Sequence, residues 1–286
     1  MTDRPPPTPS PTRTPPLRLM IVGSPRSGTT LLQTILATQT ELFTLKETHF
    51  FRHLQRRRPL RPFDRLGLAP ARVRHAFAYV AQHNGLAMPD PLPRDLASAV
   101  TAFDGMLSQE AARRGMAGWL EKTPEHAFFV PVIRRHLPEV RFVHILRDGP
   151  DVVASLWDAC RRYPESWGWL GGLDDMVRLY NRYLRAAQRA RGHADSFVLL
   201  YNDLVEHNLA ALEALSAFLG LPAGSLSLDG VGSWRPDIVR ADEPWKIRAE
   251  RHVVDTRGSK FRSLFSPAEQ ARILRGLAPM SGMASG

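Results

Sequence analysis

The chain has 286 residues, 43% of them hydrophobic, which is enough to bury one sizeable core and excludes a wholly disordered chain. Lys and Arg total 38 against 28 Asp and Glu, and the net charge of +10 favours polyanionic partners: nucleic acid, phosphorylated cofactors, sulfated glycans or anionic lipid. One cysteine, Cys160, excludes an intramolecular disulfide framework and fits a reducing, cytoplasmic compartment, while no apolar run reaches membrane-spanning length.

In chain order, residues 1–16 read as a Pro-rich disordered tail, since from Thr2 to Pro16 no large apolar side chain occurs; residues 17–286 read as a single domain. The apolar run 17–22 ends at Gly23, as a buried strand feeding a glycine-bounded loop does, and a helix follows with Leu31, Leu32, Ile35 and Leu36 at helical spacing. The stretch 47–116 is helical in pattern but interrupted by Pro and Gly, as insertions that build pockets or lids are. Residues 141–146 predict a second strand, running into Arg147-Asp148-Gly149-Pro150 and a helix carrying Val152, Val153 and Leu156. After a further helical stretch, 160–192, residues 197–201 predict a third strand and a helix that ends at Gly220; beyond Leu226 the pattern predicts loops. Three strand-then-helix units predict an α/β fold with a central parallel sheet between helical layers.

The segment Gly23-Ser24-Pro25-Arg26-Ser27-Gly28-Thr29-Thr30 places backbone N–H groups and a positive helix end around one point, with Ser27, Thr29 and Thr30 as hydroxyl donors; this suits a phosphate. It fits the nucleotide-triphosphate pattern GxxxxGK[ST] at every position but one: Thr29 stands where a Lys would hold the β- and γ-phosphates. The strand at 141–146 runs into Arg147, not the Asp of a magnesium site, so a small-molecule kinase using Mg-ATP is the alternative and not the first reading. Arg147 offers a planar fork to a phosphate, and Ser155, about two helical turns further on, adds a hydroxyl. A nucleic-acid-binding module would need a recognised motif or interleaved aromatics, and neither occurs; nor does a His/Cys cluster with metal-ligand spacing.

Ser24 to Leu32 resembles the 5′-phosphosulfate loop of sulfotransferases that use 3′-phosphoadenosine 5′-phosphosulfate (PAPS), and RDGPDVVAS, from Arg147 to Ser155, resembles their 3′-phosphate site. The resemblance spans residues 17 to 262 and lies nearer the bacterial and heparan-type branch than the cytosolic phenol and steroid enzymes. It implies a P-loop-like α/β/α fold whose helical insertions form the acceptor pocket. The activity it implies is sulfuryl transfer from PAPS to a hydroxyl or amine of a carbohydrate, lipid or secondary metabolite, without nucleic-acid partners or stable membrane insertion.

By that resemblance Arg26, Ser27, Gly28, Thr29 and Thr30 hold the 5′-phosphosulfate, Arg26 also facing the transferring group, and Arg147 and Ser155 hold the 3′-phosphate. Tyr201, in Tyr201-Asn202-Asp203-Leu204, would lie near the adenine, with Asn202 departing from the family's Glu. Arg257 and Lys260 loosely match a loop that closes on the 3′-phosphate. Lys46-Glu47-Thr48-His49-Phe50-Phe51 resembles the family's KE-x-x-FF segment, which makes Glu47 the first choice of base and His49 its competitor. In Glu121-Lys122-Thr123-Pro124 the Lys would reach the transferring group; the alternative is an exposed lysine ahead of a helix capped at Thr123. His126 is a further candidate to face the acceptor.

Overall fold

The computed structural model describes residues 16–54, 68–229 and 258–286. The Pro-rich tail, but for Pro16, and Arg257 lie outside the described residues.

Among the described residues five strands form one parallel sheet in the order β2-β3-β1-β4-β5. They are β1 (Leu17–Gly23), β2 (Leu42–Thr44), β3 (Gly118–Lys122), β4 (Val140–Leu146) and β5 (Ser196–Leu200). The apolar patterning picks out β1, β4 and β5. It misses β2, which has three residues, and β3, whose Gly-Trp-Leu-Glu-Lys ends in two charged residues that a buried strand seldom carries.

Side chains alternate across each strand, so the sheet has two apolar faces, as a buried parallel sheet must. Leu19, Ile21, Leu120, Val143, Ile145 and Leu199 pack on one face against α1 (Thr29–Gln39), α9 (Tyr201–Glu206) and α10 (Asn208–Leu219). On the other, Met20, Val22, Trp119 and Phe142 meet α2 (Phe50–Leu54), α3 (Pro70–Asn84), α4 (Leu96–Arg113) and α5 (Val130–His136). Beside them Leu146 and Val198 pack with α6 (Gly149–Arg162) and α8 (Leu173–Ala190); α7 (Pro164–Trp167) joins these two helices.

The loop-rich reading of the C-terminal part needs correction, because α11 (Ser259–Leu264) and α12 (Pro267–Gly276) lie there and add Phe261 and Ile273 to that core. A signal for α12 was present. Ser266 and Glu269 form a reciprocal capping box with Pro267 at the first helical position.

The chain leaves β1 through α1 towards β2 and β3, and leaves β4 through α6 towards β5. Adjacent strands whose connections depart in opposite directions open a crevice at their carboxyl ends, which is where α/β sheets bind ligands.

Candidate active site

Each strand delivers one of the sequence-derived candidates to that end of the sheet: Arg26 after β1, Glu47 after β2, Lys122 at the end of β3, Arg147 after β4 and Tyr201 after β5.

The loop after β1 is pressed onto β4. Gly23 has φ +152°, and a Cβ there would stand 2.3 Å from the Ile145 carbonyl oxygen, so only glycine fits. Ser27 is buried and donates its hydroxyl to the Ser24 carbonyl at 2.6 Å and the Ile145 carbonyl at 3.2 Å. Ser27 thus braces the loop from within through its hydroxyl. Thr29 and Thr30 open α1, whose first turn holds no acidic side chain, so the positive end of the helix dipole is not neutralised there. Gly28, at φ +100°, has the Tyr201 ring where its Cβ would be, 2.6 Å away.

Arg26 takes φ +70°, a conformation a non-glycine residue adopts only when its surroundings hold it. Its Nε donates to Ser155 Oγ at 3.0 Å, so the loop after β1 is tied to the helix after β4. Burial first, and the Arg147 charge second, push the Arg26 guanidinium below the ordinary arginine range. A guanidinium does not deprotonate in a protein, so two crowded cations persist, and an anion at this junction relieves their repulsion. Arg147 also lies 4.5 Å over the Tyr201 ring and pairs with Asp151 at 3.3 Å, while its carbonyl accepts from the Tyr180 hydroxyl.

Along α6, Asp151, Ser155 and Asp158 share one face by helical spacing. Asp151 accepts from the Gly258 N–H at 3.0 Å and Asp158 from Lys260 Nζ at 2.5 Å. Lys260 is therefore held beside the anion junction through Asp158. The two aspartates escaped sequence reasoning, since their partners lie about a hundred positions away.

On the other side of β1, Lys122 pairs in register with Ile21, two residues short of the anion loop. It is 1% exposed, and its Nζ donates to Glu47 Oε1 at 2.5 Å; Glu47 is 8% exposed. The reading of Lys122 as an exposed lysine before a capped helix is thereby corrected. Thr123 does precede a short 3-10 helix beginning at Pro124, but its hydroxyl makes no cap and donates to Glu121 instead. His49 Nε2 lies 3.6 Å from Glu47 Oε2, and its Nδ1 is 2.8 Å from Glu125. Burial works to raise the Glu125 carboxyl, but His49 and Arg52 hold it below the usual carboxylate range. Glu47 thus has Lys122 on one oxygen and His49 near the other; in such an arrangement a carboxylate can take up a proton and an ammonium can neutralise developing negative charge. His126 faces inward: it is fully buried and its Nδ1 meets Glu121 at 3.0 Å, which removes it as an acceptor-facing candidate.

A family model described as sulfotransferase family matches residues 16–224. Among solved structures, the fold resembles the sulfotransferase domain from the curacin biosynthetic pathway, with TM-score 0.58 and 18% identity over 91% of this chain and 96% of that one. It also resembles the sulfotransferase domain of the Synechococcus PCC 7002 olefin synthase, with TM-score 0.55 and 18% identity over 93% of this chain and 96% of that one. A mouse sulfotransferase complexed with PAP follows at TM-score 0.51 and 11% identity, over 91% of this chain and 81% of that one. No curated protein matches the chain. Because the matched residues run from the first strand through the anion loop and every other strand of the sheet, the chain belongs to the sulfotransferase family.

Proposed function

We propose that this sulfotransferase takes the sulfuryl group from PAPS and passes it to a hydroxyl or amine of a small-molecule or glycan acceptor. The observation that carries the reading is the 3.0 Å contact of Arg26 with Ser155, which draws the junctions after β1 and after β4 to one point. PAPS carries one anionic group for each: a 5′-phosphosulfate for the loop, and a 3′-phosphate for Arg147 and Ser155. The residues fit it chemically, with crowded guanidiniums, an uncompensated helix end and Gly28 packed under Tyr201. The mouse neighbour's complex with PAP agrees with this choice of nucleotide.

In this reading Arg26, Ser27, Thr29, Thr30 and the loop backbone hold the 5′ end, Tyr201 flanks the adenine, and Lys260 closes on the 3′ side. Glu47 takes the acceptor's proton as the acceptor oxygen or nitrogen bonds to sulfur. Lys122 neutralises the bridging oxygen, whose bond to sulfur breaks and which leaves with adenosine 3′,5′-bisphosphate. His49 is the competing base, 3.6 Å from Glu47. The catalytic unit runs from residue 17 onward, and the unpaired Cys160 favours a cytoplasmic setting.

Calorimetry with adenosine 3′,5′-bisphosphate and with Mg-ATP, followed by transfer of label from PAPS to a panel of acceptors, tests the proposal. Binding of adenosine 3′,5′-bisphosphate and labelled product are expected; tight binding of Mg-ATP alone would restore the kinase reading.

A further inference from the structure

Glu121 is fully buried at the end of β3, next to Lys122, and the transfer reaction as described gives it no role. Successive strand residues point to opposite faces, so Glu121 and Lys122 leave β3 on opposite sides. The loop after β2 crosses the strand end and answers both. Glu47 Oε1 accepts from Lys122 on one side, and Thr48 Oγ1 donates to Glu121 Oε1 at 2.8 Å on the other.

The second tie runs through Thr123. Its hydroxyl donates to the same Glu121 oxygen at 2.5 Å and accepts the backbone N–H of Thr48 at 2.9 Å. Glu121 Oε2 is engaged by His126 Nδ1 at 3.0 Å, and the His126 ring packs edge-on against Phe51 at 4.9 Å. The carboxylate is thus anchored in the core and grips the loop through two hydroxyls. Burial alone would raise the Glu121 carboxyl, yet His126, Thr123 and Thr48 together keep it below the usual range, so it remains an acceptor. The loop needs such a grip, since His49, two residues after Glu47, sits at φ +48°.

We propose that Glu121 is a positioning residue: through Thr48 and Thr123 it fixes the loop that carries Glu47, and so sets the Glu47–Lys122 contact on the far side of the strand. The proposal rests on Glu47 as the base of the transfer reaction.

Thr48→Val, Thr48→Ser and Glu121→Gln in the full chain test it. The readouts are amide hydrogen exchange over 45–49, calorimetric binding of adenosine 3′,5′-bisphosphate, and its release from PAPS with a mixture of 4-nitrophenol, glucosamine and 1-octanol as acceptors. Thr48→Val and Glu121→Gln are expected to speed loop exchange and lower kcat by about tenfold or more, with nucleotide affinity and the KM for PAPS within about twofold of the parent. Thr48→Ser, which keeps the hydroxyl, restores both. Parent-like exchange and turnover in Thr48→Val overturns the positioning role, and the Val/Ser pair decides the matter even if Glu121→Gln does not fold. A Glu47→Gln protein that still turns over would sink the base assignment instead, so the two failures are separable.

Discussion

Lys122 and Glu47, 75 positions apart, meet at 2.5 Å with almost no solvent contact. Two charges taken out of water recover little net stability from their attraction, while removing one partner costs about 3–5 kcal/mol. A pair of this kind is therefore a poor device for stability, and its place beside the anion loop suits chemistry. Glu47→Gln is expected to lower kcat by about 10²- to 10⁴-fold and to lower the melting temperature, with little change in the calorimetric affinity for adenosine 3′,5′-bisphosphate. Arg147→Ala should behave the other way. Charge-assisted hydrogen bonds are worth about 1.5–3 kcal/mol, so affinity for the same nucleotide should fall by roughly ten- to hundredfold, and turnover at saturating PAPS should change far less.

The loop after β1 works as a unit with β4 and Tyr201. In Gly28→Ala the new methyl meets the Tyr201 ring at 2.6 Å and the backbone keeps an unfavourable φ of +100°, so ring and loop must separate. Calorimetry should show nucleotide affinity weakened by about tenfold or more, and the melting temperature should fall. In β4 itself, His144 is 1% exposed, and neither ring nitrogen has a hydrogen-bond partner among the described residues. Burial, and then Arg134, hold its pKa down at about 4 against an opposing pull from Asp195. The unfolded chain binds a proton on this histidine from pH 6.5 downward, whereas the folded chain resists until about 4. Its contribution is therefore complete above pH 6.5 and is lost as pH falls through that window, by about 3 kcal/mol at most. Melting curves from pH 7 to pH 4 should show a shallower acid decline in His144→Leu than in the parent.

For the molecule as a whole, a nucleotide that binds only the folded state must stabilise it. Adenosine 3′,5′-bisphosphate at about a hundred times its Kd should add about 2.7 kcal/mol and raise the melting temperature, and Mg-ATP at the same concentration should leave it unchanged. The sequence by itself determined the parallel α/β plan, the anion loop with Thr29 in place of a lysine, and the basic junction at Arg147. Those features are local: apolar runs, glycine turns and helix starts are written in consecutive residues, and motif spacing carries the rest. The tertiary structure alone decided that Glu121 and Lys122 end a buried strand, and that Glu47, Thr48 and Thr123 knit that strand end to the loop after β2. It also decided that Ser27 and His126 turn inward, and that Asp151 and Asp158 hold Gly258 and Lys260. Each of these depends on which strands pair and in what register, because a buried charge takes its meaning from a partner brought near by folding, not from its neighbours in the chain.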